Sequence, residues 1–535
     1  MFDRIALQSL LRAIPSERRG SQDFSQLWKR TWGMGVFGSD VACGSTPFAR
    51  YRSIIDDWEA FRQALERPLP AALWTNTLKA DPGRLARLLP ADGIPLEPLQ
   101  WRPGAFRLLV HDAKPGNHWG FLGGLYHVQE EVSLLPVLLL DPQPGDRVLD
   151  LCAAPGNKTA QIAVAMGNRG TVVANDRDYF RIRAIHHMTE RLGILNTSTT
   201  LFDGANFPKG AGLFDKILVD VPCTCEGTVR KSPELTLDPT GGLSRKFSGG
   251  QKALLRKAIQ LCKPGGRIVY SSCTYAPEEN EAVIDALLSE VGHHVARLVP
   301  AGVEGFHTSA GLNAWGVETF DESLRLAMRI WPHQNDTGGF FVAVLEKGNG
   351  SKTADEKVTR ASAEAVKRRG APAGPEGMPP AARAPSGPWF EILEKRLGMS
   401  PGDFEGYTFF QRTAKDLRVV NRDHRPPLQP EPQSTGMVFM RAKSSRFPKI
   451  TTAAAMLFGR KATRNTIDLD EEQIRAYIQR QDINLRADQV QSCTGIGYVL
   501  VRHEGVEFGV ALYLPDEQGK GDRAKSMFPK AWAVR

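Results

Sequence analysis

The chain reads as an α/β protein built on a mostly parallel, doubly wound sheet, and three observations predict it. Between about residues 141 and 347, β-rich apolar runs alternate with helical patterns, the strand–loop–helix rhythm of such sheets. Several of those runs, RVLDLCA, GTVVANDRD, FDKILVDV and GGRIVYSS among them, stop at clusters of turn-forming residues. Their last residues therefore fall where strands open into loops, which is where an open α/β sheet builds its site.

Residues 1–40 form an extension of weak periodicity. Its first segment, MFDRIALQSLLRAIPSERR, is mildly amphipathic and reads as an N-terminal helix rather than a transit peptide. Residues 41–140 make a compact unit. YRSIIDDWEAFRQALERPLP carries apolar residues at helical spacing, LWTNTLK reads as a strand, and PGRLARLLPADG as a short helix closed by glycine. The apolar helix within HVQEEVSLLPVLLL is stopped by PQPGD, after which the sheet region begins. Residues 348–387 are rich in Ala, Gly, Pro and charge and poor in large apolar residues, the composition of a linker. Residues 388–535 hold short strands, a hairpin around Glu504–Gly505 and the basic clusters KSSRFPK and FGRKATR, suggesting a small α+β or β-barrel module.

Composition excludes several classes. With 535 residues the chain is too long for one core. No apolar run approaches the roughly 20 residues needed to cross a bilayer, so no membrane partner is expected. Seven scattered cysteines, an odd number, make no disulfide framework and imply a reducing, cytoplasmic setting. A formal net charge of +9 is compatible with a polyanionic partner but equally with a solvated basic surface. No metal is expected: Cys223 and Cys225 form a CxC pair without a matching His/Cys set nearby. A monomer fits the composition as well as any oligomer.

Two units carry the chemistry. FDKILVDVPCTCEGT (214–228) and GGRIVYSSCTYAPEEN (265–280) each end a strand at a cysteine, Cys223 and Cys273, with Asp220 beside them. Thiolate, metal and redox roles are all open to such a pair. VLDLCAAPGNKT (148–159) is a strand opening through a small-residue loop into a helix, which lets backbone N–H groups approach a polar ligand. It is neither GxGxxG nor GxxxxGK[ST]. The following strands end in Asp176 and Asp203, placed for a ribose diol and an adenine amino group respectively. A turn or helix cap explains each aspartate alone equally well; in combination they have the layout of an S-adenosylmethionine site.

VLDLCAAPGNKT, VANDRD, DKILVDVPCTCEGT, RIVYSSCTY and NDTGGFFVAVLEK, in this order and spacing, resemble the Sun-type RNA cytosine-5 methyltransferases over roughly residues 51–347. The resemblance implies a Rossmann-like class I methyltransferase domain at 141–347, preceded by an RNA-handling subdomain at 41–140 and followed at 388–535 by a PUA-like RNA-binding domain. It implies S-adenosylmethionine as cofactor, held by Cys152, Ala153, Ala154, Pro155, Gly156, Asn157 and Lys158 and by Asp176, Asp203 and Asp220. It further implies Cys273 as nucleophile, Cys223 in product release, and Asp220 and Lys158 in catalysis. RNA is the implied partner, with tRNA favoured over rRNA. A DNA-type enzyme attacking through Cys223, and a binding protein without activity, are the alternatives. Gln129 and Ser133 read as helix packing.

Three departures stand out. Asn157 occupies a position where a small residue, often glycine, is usual in this family. Cys225 replaces a glycine after Cys223. SSCTY differs from the commoner STCS wording without removing the nucleophile.

Overall fold

The computed structural model describes residues 47–349 and 387–532, apart from 111, 236, 414, 442–448, 517, 518 and 520. The expected extension at 1–40 and nearly all of the 348–387 linker lie outside the described residues, as does most of KSSRFPK.

Helix α1 (Trp58–Glu66) starts where Asp57 accepts a hydrogen bond from Ala60 N, and α2 (Pro82–Ala91) starts in the same way at Asp81. Between and after them run β1 (Ala72–Thr75), β2 (Leu96–Pro98), β3 (Ala105–Leu108) and β4 (Tyr126–Val128). These form an antiparallel sheet in the order β2-β3-β1-β4. Helix α3 (Leu135–Leu140) then ends at Asp141 in a left-handed conformation, one residue ahead of Pro142.

The central sheet begins with β5 (Arg147–Asp150), α4 (Asn157–Ala165), β6 (Thr171–Asp176), α5 (Tyr179–Leu192), β7 (Thr197–Leu201) and β8 (Phe214–Asp220). It continues with α6 (Gly242–Leu261), β9 (Cys262–Ser272), α7 (Glu281–Val291) and β10 (Ala296–Val299). After the short β11 (Ser309–Ala310), β12 (Ala314–Trp315) and β13 (Glu318–Thr319) come β14 (Met328–Ile330) and β15 (Phe340–Lys347). The parallel strands lie in the order β7-β6-β5-β8-β9. Antiparallel strands extend both edges: β15, β14, β11 and β10 beyond β9, and another strand beyond β7. The sheet is thus a parallel centre in a mixed sheet, rather than mostly parallel. After β9 the chain passes through α7 and β10, and β14 and β15 are joined by the short segment 331–339, too short for the crossover that a parallel pair needs.

Both faces of that centre are covered. Leu149, Ile217, Val219, Ile268, Tyr270, Phe341 and Ala343 pack on one side with α6 and α7. Their neighbours Val148, Leu218, Val269, Phe340 and Val342 pack on the other with α3 and α4. Alternate residues burying opposite faces is why these strands read as continuous apolar runs.

The C-terminal unit is α+β. It contains α8 (Pro388–Leu397), β16 (Tyr407–Thr413), β17 (Asp416–Asn421), β18 (Ser434–Thr435), β19 (Met437–Arg441) and β20 (Lys449–Ile450). These are followed by α9 (Thr452–Phe458), β21 (Thr466–Asp468), α10 (Glu471–Ile478), β22 (Asp482–Asn484), β23 (Gly497–His503), β24 (Val506–Leu514) and β25 (Arg523–Ser526). It is not strung at a distance. Strand β18 pairs with β7 and so completes the central sheet, while His424 Nε2 lies 2.8 Å from Ser198 Oγ. On the opposite flank Phe508, Ile474 and Tyr477 share a core with Leu73, Phe106 and Leu122 of the N-terminal sheet.

Candidate active site

Strands β8 and β9 pair in parallel with Asp220 opposite Ser271, so the loops after them leave the sheet side by side. That register brings Cys223 and Cys273, fifty residues apart in sequence, to a Sγ–Sγ distance of 3.4 Å. The two loops are tied. Gly227 N donates to Cys273 O at 2.9 Å, and Gly339 N, at the start of β15, donates to Gly227 O at 2.9 Å. Glu226 accepts from Tyr51 Oη at 2.7 Å and from Thr274 Oγ1 at 3.0 Å, anchoring both loops to the N-terminal unit. Glu279 accepts from Thr224 N at 3.1 Å and from Gln251 Nε2 at 2.8 Å, and burial pushes its carboxyl up to about 7. Thr337, Gly338 and Gly339 form the turn that closes this side, with Gly338 N donating to Glu130 at 3.0 Å.

Asp220 is clamped at both oxygens. Lys158 Nζ, from the first turn of α4, donates to Oδ2 at 2.7 Å, and Ser271 Oγ donates to Oδ1 at 2.7 Å. The ammonium also lies 5.4 Å from the centre of the Phe340 ring. Burial works to lower the lysine's pKa, but the charge and hydrogen bond of Asp220 override it and raise it. Lys158 is therefore a fixed cation beside the cysteines.

Cys225 adopts φ 60, ψ 21, the left-handed conformation that suits the glycine it replaces. Its Sγ lies 4.0 Å from Cys223 Sγ and donates to Cys223 O at 3.3 Å. Hydrogen bonds from Cys223 and then Cys273 lower the Cys225 thiol to about 4 against the effect of burial. Cys223 is pushed well up by its hydrogen bonds to Cys225 and Cys273 and by burial. At Cys273 a hydrogen bond from Cys223 acts downward, and the bond to Cys225 together with burial outweighs it, so this thiol is raised too.

The loop from Cys152 to Lys158 joins β5 to α4. Gly156 has φ 109, and a Cβ there would sit 3.2 Å from Ile185 Cα, so glycine is required both for the turn and for the close approach of α5. Buried Asp176 accepts from Ala154 N at 3.2 Å and Asp178 N at 3.0 Å, and Arg181 donates to Ala154 O at 2.6 Å. Asp203 is exposed and caps a short turn, accepting from Asn206 Nδ2 at 2.5 Å. Both aspartates thus act as local caps at the sheet edge that carries the loop. Asn157 Oδ1 accepts from His127 Nε2 at 3.1 Å. Burial and then Arg191 depress His127 to about 3, so its ring is neutral; Nδ1 accepts from Arg191 and Nε2 carries the proton. The departure at Asn157 therefore fastens α4 to β4.

The structure gathers Lys158, Asp220, Cys223 and Cys273 into one constellation, with the loop and Asp176 beside it and Asp203 on the rim. It adds Asp150, which sequence reasoning passed over. Thr159 Oγ1 donates to Asp150 Oδ2 at 2.6 Å, while buried Oδ1 has no partner among the described residues, and burial pushes this carboxyl up to about 7. A carboxylate closing the strand just ahead of the small-residue loop was the available signal. Gln129 lies outside any helix and accepts from Trp74 Nε1 and Gln161 Nε2, both at 2.9 Å, a buried polar hub rather than the helix packing expected.

Residues 137–346 match the family described as 16S rRNA methyltransferase RsmB/F, and residues 48–131 match the N-terminal domain of 16S rRNA methyltransferase RsmF. A 28S rRNA (cytosine-C(5))-methyltransferase of Mus musculus is 35% identical over 298 residues, covering 54% of this chain and 37% of that protein. The chain thus spans little more than a third of this mammalian relative. A tRNA (cytosine(49)-C(5))-methyltransferase of Pyrococcus abyssi is 35% identical over 297 residues, 55% of this chain and 94% of that protein. The solved structure of a methyltransferase homolog from Pyrococcus horikoshii is 34% identical with a TM-score of 0.49, covering 57% of this chain and 96% of that one.

Proposed function

The chain belongs to the RsmB/F family of RNA cytosine-C5 methyltransferases, and from that premise we propose that it methylates carbon 5 of a cytosine in RNA with S-adenosylmethionine as donor. The observation that carries this reading is the pair of cysteine sulfurs 3.4 Å apart beside the Lys158–Asp220 ion pair.

The residues fit the donor. The loop Cys152–Lys158 presents backbone with no side chain at Gly156, Asp176 and Asp203 stand at the neighbouring strand ends, and Asp150 Oδ1 is a buried acceptor with no partner among the described residues. When bound, S-adenosylmethionine supplies an electrophilic methyl group on a sulfonium. The protein's part is to make carbon 5 reactive. The Cys273 thiol loses its proton to solvent, and the resulting thiolate adds to carbon 6 of the base, which leaves carbon 5 electron-rich. Asp220, held by Lys158 and Ser271, would face the pyrimidine's ring nitrogen and in its protonated form hand it the proton that neutralises the charge developing there. Once carbon 5 carries the methyl group, loss of its proton returns the electron pair and expels the Cys273 sulfur. Cys223, close enough to exchange a proton with Cys273, assists that release. The base must leave any stack to reach these groups, at a cost of a few kcal/mol that is smallest in loops.

As substrate we propose ribosomal RNA, because residues 48–131 match an rRNA-enzyme domain. The tRNA reading favoured from the sequence is the second, supported by the archaeal relative named for tRNA. The C-terminal unit, with Arg460 and Arg464 exposed and Lys461 half-buried beside them, is read as RNA-binding. Trapping on RNA containing 5-azacytidine tests the chemistry: Cys273→Ala should lose the covalent adduct and Cys223→Ala should keep it. The reverse pattern would hand the attack to Cys223. Bisulfite sequencing of total RNA with and without the gene then decides the substrate; a methylcytosine lost only from tRNA would overturn the ribosomal assignment.

A further inference from the structure

The sequence offers Cys223 and Cys225 as a CxC pair with no third ligand in sight. The fold brings that ligand from fifty residues away. The sulfurs of Cys223, Cys225 and Cys273 all lie within 4.8 Å of one another, with Cys223–Cys273 at 3.4 Å and Cys223–Cys225 at 4.0 Å. A tetrahedral ion with bonds of about 2.3 Å to sulfur separates its ligand atoms by about 3.8 Å. The sulfurs therefore stand at metal-ligand spacing before any side chain turns.

The loops bearing them are braced. Thr224 is held by Glu279, and Gly227 is bonded to Cys273 O, so the ligands sit on tied backbone. Cys225 reaches the cluster from a left-handed backbone that L side chains rarely adopt, where glycine would be unstrained.

We propose that Cys223, Cys225 and Cys273 form a three-thiolate site for a soft divalent cation of the zinc class, with a fourth position left for water. Binding is a balanced exchange: one M²⁺ and three thiols give one tris-thiolate complex of net charge −1 and three protons released to solvent. The Lys158 ammonium favours that charge, and the carboxylate of Asp220 opposes it. A bound ion occupies the sulfur of Cys273 and so caps it. This capping consequence rests on the assignment of Cys273 as nucleophile; the metal site itself does not.

The test uses the full chain, reduced with a non-thiol reductant and titrated with Co²⁺, then with Zn²⁺. One equivalent of Co²⁺ should bring an intense near-ultraviolet thiolate-to-cobalt band with visible bands of tetrahedral shape, both removed by Zn²⁺. Cys225→Gly, which keeps a residue suited to this backbone, should weaken binding at least tenfold. Circular dichroism and thermal unfolding verify its fold. Cys493→Ser, in a separate core, should bind as the wild type does. No thiolate band, equal affinity in Cys225→Gly, or a disulfide within the trio forming in place of metal uptake would each overturn the site. Because this readout needs neither RNA nor S-adenosylmethionine, it stands or falls apart from the methyltransferase reading. In active enzyme, Zn²⁺ should inhibit the wild type at least tenfold more strongly than Cys225→Gly; equal inhibition would overturn the capping.

Discussion

Gly227→Ala probes what holds the two cysteine loops in register. A Cβ at this position would fall 2.2 Å from Gly339 O and 2.6 Å from Gly339 C, both backbone atoms that no rotamer change can move aside. Real Cβ contacts essentially never come under 3.0 Å, so the Cys223 loop and the 337–339 turn packed on it must part by roughly 0.8 Å in a region too densely packed to absorb it. Parting them stretches the two buried bonds through Gly227, to Cys273 O and from Gly339 N. At about 0.5–1.5 kcal/mol each, their loss predicts a destabilisation of about 1–3 kcal/mol. The functional effect should be larger, since misplacing a reacting group by about 1 Å costs on the order of a hundredfold in rate. The assay pairs urea unfolding with the rate of adduct formation on 5-azacytidine RNA. Gly249→Ala is the internal control: it lies on α6 with nothing within 4 Å of its Cβ, so it should gain about 1 kcal/mol from helix propensity and leave adduct formation alone. A Gly227→Ala protein that forms adduct at the wild-type rate would refute the idea that this contact positions Cys273.

Lys158→Met leaves Asp220 with Ser271 as its remaining side-chain partner. At 2.7 Å the raw pair is worth roughly 6 kcal/mol at an effective dielectric of 20, but the Asp220 side chain is 30% exposed, so we expect a loss of about 1–2 kcal/mol in urea and at least a hundredfold fall in methyl transfer. Wild-type turnover in this variant would remove Lys158 from the site's chemistry. Asp150→Asn reports on burial: the folded carboxyl titrates near 7, above its ordinary 3.8. The stability contributed by its neutral form is therefore present below about pH 4 and lost as pH rises through 7. The asparagine variant should gain on the wild type between pH 5 and pH 8 by about 3 kcal/mol, and an equal difference in urea midpoint between the two proteins at both pH values would contradict this. RNA affinity should fall about tenfold or more between 50 and 200 mM salt, read by filter binding; a salt-insensitive complex would remove phosphate contacts from the account.

Much of the site was written in local sequence, because each strand end and the loop after it are contiguous. VLDLCAAPGNKT, VANDRD and the two cysteine segments carry their own turns, so the order of site residues along the sheet edge followed from strand–loop–helix alternation. Asp150 was overlooked because a single acid at the end of an apolar strand looks like part of the strand until burial and the unpartnered oxygen are seen. The mixed character of the sheet was equally hidden: period and apolarity do not tell a parallel neighbour from an antiparallel one. The C-terminal unit looked separate because its link to the rest is spatial, through β18 on β7 and the shared core of Phe508 and Leu73.

By itself, then, the sequence determined which residues are chemically equipped: Cys223, Cys273, Asp220, Lys158 and the loop from Cys152. Only the tertiary structure decided how they meet. The parallel register of β8 and β9 places two sulfurs 3.4 Å apart, Lys158 closes on Asp220 at 2.7 Å, and Cys225 joins them as a third thiol. The physical reason is that strand register and loop closure couple residues fifty or more positions apart, and no local periodicity records that pairing.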